Sequence, residues 1–187
     1  MKKFYITTPL YYVNDEPHIG HAYTTILADV ISRIQDIQGN DVYFLTGTDE
    51  HGQKVQEASE KRGVAPQVHA DEYVNRFKDA WKNLDIEYDY FIRTTDATHK
   101  KSVKKILLYL HKKGDIYFDE YEGLYSVSEE RFITEKEMEE GNFREIKKIK
   151  EKNYFFKMSK YQNKLIQHIK ANDNFIMPKS RRNEILG

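Results

Sequence analysis

Thr7-Thr8-Pro9-Leu10-Tyr11-Tyr12-Val13-Asn14-Asp15-Glu16-Pro17-His18-Ile19-Gly20-His21 is the stretch on which the reading of this chain turns. A buried β-strand, Lys3 to Thr8, is expected to enter it, and a Pro-Leu-Tyr-Tyr turn interrupts it. A long amphipathic segment leaves it. Within Ala22 to Gln38, Ile26, Val30, Ile34 and Ile37 recur at three- and four-residue intervals, with Leu27 and Ile31 widening the stripe. That is the period of a helix with one apolar face. Pro17 suits an early helical position, Gly20 admits close approach of backbone or ligand, and Gly39-Asn40 ends the helix.

His18 and His21 stand three residues apart, so in a helix they share one face. The unpaired N–H groups and positive end of a helix N-terminus attract phosphate. Neutral imidazoles add N–H donors that stabilise charge as it develops on a phosphoryl group. Two plainer readings stand beside this one: a pair of ordinary polar helix residues, or half of a metal site. For the latter only His51 is visible as a third ligand, and the absence of cysteine weakens zinc further.

A second strand is expected at Asp41 to Thr46, with the polar turn Gly47-Thr48-Asp49-Glu50-His51-Gly52 at its carboxyl end. Helices follow at Gln53 to Lys61 and Pro66 to Leu84, then a strand at Tyr90 to Arg93. A further helix, capped by Thr95-Asp96, runs through His111 and is ended by Gly114. Strand, loop and helix in repetition describe an open α/β fold, which binds ligands at the carboxyl ends of its strands. Asp49 at such an end suits an ammonium group as a charge-assisted acceptor, and Gly47 and Gly52 let backbone close around a small ligand. The bland alternative is a glycine-rich turn capped by Thr48 and Asp49.

The texture changes near Ile116. Short strands at Ile116 to Phe118, Gly123 to Val127 and Arg131 to Ile133 are joined by acidic turns, with a short helix at Glu135 to Glu139. Ile149 to Lys157 reads as extended and Tyr161 to Ala171 as helical, the whole resembling an inserted α+β module. Lys157-Met158-Ser159-Lys160 imitates a phosphate-binding lysine signature, but its setting makes it a junction at which Ser159 caps the next helix. Lys147 to Lys152, alternating with Ile146 and Ile149, reads as a solvated edge strand. Ser180 to Leu186 begins a helix with no evident following strand, so the fold is expected to be incomplete.

The 187 residues suffice for one core with a small attached module. Net charge is zero, which gives no long-range field toward nucleic acid, but it is unevenly spread. Asp119 to Glu140 carries nine acidic and two basic residues, and Gly141 to Gly187 carries twelve basic and four acidic. With no cysteine, disulfides, thiol nucleophiles and thiolate zinc sites are excluded, and a cytoplasmic chain is the expectation. The N-terminus reads as a strand rather than a signal peptide, and no apolar run reaches the roughly 18 residues of a membrane span.

Taken together, Thr7 to Asn14, Pro17 to His21, Ala28-Asp29, Gly47 to Gly52, Asn153 to Tyr161 and Ser180 to Glu184 resemble the methionyl-tRNA synthetases, class I aminoacyl-tRNA synthetases, in their bacterial form. The resemblance spans practically the whole chain. It implies a Rossmann-like α/β nucleotide-binding fold, its first half at residues 1–115, a connective-peptide insertion at 116–174, and the start of the return to the catalytic domain at 175–187. It further implies that His18 and His21 are catalytic, that His18, Gly20 and His21 bind ATP, and that Leu10, Tyr12 and Asp49 bind methionine. ATP with Mg2+, L-methionine, methionine tRNA and the remainder of the same enzyme would be its partners, with no membrane. Where relatives place zinc-binding cysteine this chain has Ser126 and Ser128, so no structural zinc is expected, and packing by Tyr125, Phe132 and Phe143 must replace it. The pocket's aromatic wall and the true lysine loop are expected downstream, so this chain alone should be inactive. A small nucleotidyltransferase and a non-catalytic assembly protein are the alternatives.

Overall fold

The computed structural model describes residues 1–127, 131–141, 143 and 145–187, and by its contacts the chain divides into two units, Met1–Lys104 and Lys105–Gly187. The zinc-position residue Ser128 lies outside the described residues. Among the described residues no helix is long and apolar enough to cross a membrane.

The first unit is a parallel α/β sheet centred on β3 (Asp41–Asp49). Strands β1 (Lys3–Thr7) and β2 (Tyr11–Tyr12) follow one another along one edge of β3, and β4 (Tyr90–Arg93) lies on the other. Helices α1 (Ile19–Ile37), α2 (Gln53–Lys61) and α3 (Pro66–Asn83) supply the crossovers. The core joins Tyr11, Val13, Phe44 and Phe91 of the sheet region to Ala28, Val55, Val74, Phe77 and Trp81 of the helices.

Five expectations need correction here. Tyr11 and Tyr12, expected in a turn, form β2, because they pair with Thr48 and Asp49. Strand β1 is not buried: Lys3, Tyr5 and Thr7 are exposed while Phe4 and Ile6 are only half-buried, because only Ile6 packs on the core. Pro17 precedes the cap His18, so helix α1 starts two residues after it. Strand β3 continues to Asp49, which shortens the polar turn, and Gly47 serves the sheet rather than a ligand. A Cβ there would stand 2.0 Å from the carbonyl oxygen of Ile92 on β4. Finally, the apolar stripe of α1 is not its buried side. Thr25, Ala28 and Asp29 are buried, whereas Ile26, Leu27, Val30, Ile34 and Ile37 are exposed. The inner polar groups are satisfied: Thr25 by the Tyr11 hydroxyl at 2.8 Å, Asp29 by the Glu87 N–H at 3.0 Å and Arg33 at 2.7 Å. Small and hydrogen-bonded side chains can line a helix–sheet contact that bulky stripe residues would hold apart.

Helix α4 (Ala97–Lys112) leads into the second unit. Its sheet has β5 (Ile116–Ser126) at the centre, flanked by β6 (Arg131–Ile133) and β7 (Ile146–Phe156), all antiparallel. The acidic stretch expected to be a turn is the middle of β5. Glu120 and Glu122 face Lys150, Lys152 and Lys148 of β7, so cross-strand charge pairing keeps both runs extended. The lysines of β7, an edge strand as expected, are thereby partly neutralised. Ser126 is buried, and Tyr121 and Tyr125 pack edge-on against Phe132, with the Arg131 guanidinium over Phe143. Helix α5 (Glu135–Glu140) is closed by a Thr134–Glu137 capping box. The Thr134 N–H, then Arg131, draw the Glu137 carboxyl down to about 2.

Ser159 is the first residue of helix α6 (Ser159–Ala171) and makes no cap, correcting the expectation; the cap position is Met158. Lys160 is instead committed to Asp115, whose buried carboxylate also takes the Tyr161 hydroxyl and Lys113. These hydrogen bonds, Lys160 first, hold Asp115 well below the usual carboxylate range. K160A should therefore lower the thermal midpoint of the protein without changing ATP affinity. A loss of ATP affinity at unchanged stability, read by calorimetry and nucleotide titration, would restore the phosphate-binding reading. Helix α7 (Lys179–Leu186) ends the chain.

Candidate functional site

Strand pairing assembles the site residues at the carboxyl end of the sheet. Tyr11 pairs with Thr48 and Tyr12 with Asp49, so β2 sets Tyr12 beside the candidate ammonium acceptor. Leu10 immediately precedes β2 and, like Tyr12, remains accessible, at 37% and 40% exposure respectively. Beyond β2, the loop toward His18 is tied down from α3. The fully buried His69 holds the Val13 carbonyl through Nε2 at 2.7 Å, while its Nδ1 takes Arg62 at 2.9 Å. Arg76 pairs with Glu16 one step further along.

The two histidines form the N-terminal cap of α1. His18 Nδ1 accepts from the Gly20 N–H at 3.1 Å, and His21 Nδ1 accepts from the His18 N–H at 3.2 Å, a reciprocal capping box made of imidazoles. With each Nδ1 lone pair occupied by a backbone N–H, each neutral ring carries its proton on Nε2. The rings stack with centroids 3.6 Å apart. Gly20 fits here for a reason the sequence did not suggest: a Cβ would crowd the His18 ring at 3.0 Å and push it out of its place in the cap. His21 rests on Tyr11 and Phe77, with ring centroids at 4.7 and 5.3 Å. Burial against that shelf, then the neighbouring His18, lowers the His21 pKa, so the ring stays neutral at pH 7.

The loop after β3 is held by the end of β4. Glu50 has a fully buried side chain that receives Arg93 Nε at 2.7 Å and Nη2 at 2.8 Å, a bidentate pair, along with the hydroxyls of Thr95 and Thr48. Burial pushes the Glu50 carboxyl upward, but the hydrogen bonds from Arg93, Thr95 and Thr48 outweigh it and hold the group below normal. Arg93 reaches on to Asp71 at 2.6 Å. Asp49 itself accepts from the Thr94 hydroxyl at 3.2 Å. His51 turns its Nε2 to the Thr94 carbonyl at 3.3 Å rather than toward the histidine pair. Among the described residues no group of three His, Asp or Glu is gathered as a metal site.

Sequence reading named His18, Gly20, His21, Leu10, Tyr12 and Asp49 as candidates; strand pairing sets Tyr12 beside Asp49, and Tyr11 of the same strand packs against His21. It missed Tyr11, Glu50, Arg93 and Thr94. Only the composition of Arg93-Thr94-Thr95 at a strand's carboxyl end carried a signal.

A family model described as tRNA synthetases class I (M) matches residues 4–143. The methionine--tRNA ligase of Fusobacterium nucleatum subsp. nucleatum is 50% identical over 190 residues, covering 99% of this chain and 30% of the relative. That of Clostridium perfringens is 50% identical over 189 residues, covering 99% and 29%. Mycobacterium tuberculosis methionyl-tRNA synthetase in complex with methionyl-adenylate superposes with a TM-score of 0.94 at 41% identity, over 100% of this chain and 38% of that one. The chain thus spans about 30% of the length of these curated relatives.

Proposed function

This chain belongs to the class I (M) tRNA synthetase family, and from that premise we propose that it is the amino-terminal part of a methionine--tRNA ligase. The reaction is in-line attack of the methionine carboxylate on the α-phosphorus of ATP. It forms methionyl-adenylate and releases pyrophosphate; a hydroxyl of the terminal ribose of methionine tRNA then attacks the adenylate carbonyl, forming the ester and releasing AMP. The carboxylate is already ionised at pH 7, so no residue need serve as nucleophile or strong base.

The observation that carries the proposal is the imidazole capping box. Because backbone N–H groups occupy both Nδ1 atoms, His18 and His21 offer two Nε2–H donors beside the positive end of α1. They bind ATP phosphates and strengthen their hold as charge builds at the reacting phosphorus. Gly20 keeps the first turn open for the nucleotide. Asp49 holds the substrate ammonium, with Leu10 and Tyr12 against the side chain. Magnesium accompanies the triphosphate. A cation of this kind is held chiefly by phosphate oxygens and water.

We assign residues 1–115 to the first half of the catalytic domain, 116–174 to the connective peptide, and 175–187 to the return. No structural zinc is assigned, because serine at position 126 is a poor ligand. Methionine tRNA and the remainder of the same polypeptide are the macromolecular partners, and the cytoplasm is the site of action.

The test is methionine-dependent exchange of labelled pyrophosphate into ATP. The full-length polypeptide should catalyse it with methionine, and residues 1–187 alone should not. Failure of the full-length protein with methionine would overturn the assignment. Full exchange by residues 1–187 would overturn their status as one part of the site.

A further inference from the structure

Thr94, the residue after β4, is 8% exposed and hydrogen-bonds to four consecutive residues, Thr48 to His51, at the end of β3 and the start of the loop after it. Its N–H donates to the Thr48 carbonyl at 3.2 Å. Its hydroxyl donates to Asp49 Oδ1 at 3.2 Å and accepts from the Glu50 N–H at 2.8 Å. Its carbonyl accepts from His51 Nε2 at 3.3 Å. The direction of the hydroxyl is fixed by counting: it has one proton, and the Glu50 N–H can only be a donor to it. That proton therefore goes to Asp49.

The hydroxyl is held by the two bonds it makes, and the chain on either side of Thr94 is anchored as well. Arg93 and Thr95 each bind the buried carboxylate of Glu50, so three successive residues grip the same loop. Asp49 Oδ1 is held on the protein side by Thr94, with the His51 N–H at 3.5 Å. Among the described residues no hydrogen bond reaches Oδ2.

We propose that Thr94 is the positioning residue of the amino-acid site, its hydroxyl orienting Asp49 so that Oδ2 is presented to the substrate ammonium. This rests on the reading of Asp49 as the ammonium ligand. Thr94 touches no reacting atom. It acts by sparing Asp49 the rotamer search that would otherwise accompany substrate binding, and its effect falls on the amino acid rather than on the nucleotide.

The experiment is steady-state pyrophosphate exchange by the full-length polypeptide, with methionine and ATP varied separately. Wild-type exchange that does not depend on methionine would sink the assignment of function itself, separately from this proposal. Given that dependence, T94V, which keeps the volume and removes the hydroxyl, should raise the KM for methionine about tenfold. The KM for ATP and kcat should stay within about twofold. T94S, which restores the hydroxyl, should restore the wild-type KM. In a D49N background T94V should add nothing, because Thr94 acts only through the carboxylate that D49N removes. A methionine KM within about twofold of wild type in T94V, equal rises for methionine and ATP, or additivity with D49N would each overturn the proposal. If T94V does not fold, T94S decides: wild-type KM supports the role of the hydroxyl, and a tenfold rise overturns it.

Discussion

H21A in the full-length polypeptide slows methionyl-adenylate formation by about 10²- to 10³-fold, the usual cost of removing one preorganised donor from a developing oxyanion. The dissociation constant for methionine stays close to wild type, because the Nε2–H contact strengthens only as charge moves onto the phosphate. Alanine also removes the acceptor of the His18 N–H, a capping loss of about 1 kcal/mol. H21N separates the two effects. Its amide oxygen stands where Nδ1 stands and keeps the cap, while nothing replaces Nε2. It should be as slow as H21A and more stable than H21A by the retained cap. Single-turnover adenylation with equilibrium methionine binding and thermal melts reads all three quantities. Equal loss of rate and of methionine affinity would contradict the role. Burial lowers the His21 pKa below the ordinary 6.5, so Nδ1 still accepts the His18 N–H as pH falls through that value, and this half of the cap is lost only at lower pH.

R93A produces the largest loss of stability expected in the first unit. Glu50 is completely buried and Arg93 only 20% exposed, so truncation leaves a buried carboxylate without its bidentate partner. Breaking such a pair costs about 3–5 kcal/mol. In a domain of this size that lowers the thermal midpoint by roughly 15 °C or more. R93K should recover little, since an ammonium cannot reproduce the fork. The pH dependence provides a second check. In wild type the Glu50 pKa is depressed, so the pair's stabilisation is complete above the normal glutamate pKa of 4.5 and is lost as pH falls through the lower folded-state value. In R93A burial dominates and raises the Glu50 pKa. That variant gains on wild type as the solution is acidified. A melting-point difference that is small, or that widens with acid, would show that the pair is not what holds the loop.

Much of the candidate site was legible in the sequence, because its parts are local. The His-x-x-His spacing, the strand preceding it and Asp49 at a strand end are features of short segments, and parallel pairing of β2 with β3 brings them together. The role of Thr94 was not legible for the opposite reason: composition marked a polar strand end but named no partner. Its hydroxyl partners are 44 and 45 residues away in sequence, and no local pattern distinguishes a threonine that grips another loop from one that caps a turn. Gly47 was misread on similar grounds: the need for glycine comes from Ile92 on the neighbouring strand.

By itself the sequence determined the order and type of nearly every element, because hydrophobic period, caps and glycine stops act within a few residues. It also determined the chemistry available at the strand ends. Tertiary structure alone decided which side of α1 is buried. Apolar period reports where the oily residues stand around a helix, whereas burial depends on which side closes on β3, and there the small or hydrogen-bonded Thr25, Ala28 and Asp29 fit. It decided that the acidic middle of β5 is strand, since the lysines that neutralise it lie on β7. And it decided the protonation geometry of the two histidines, because a backbone N–H on each Nδ1 leaves Nε2 as the donor.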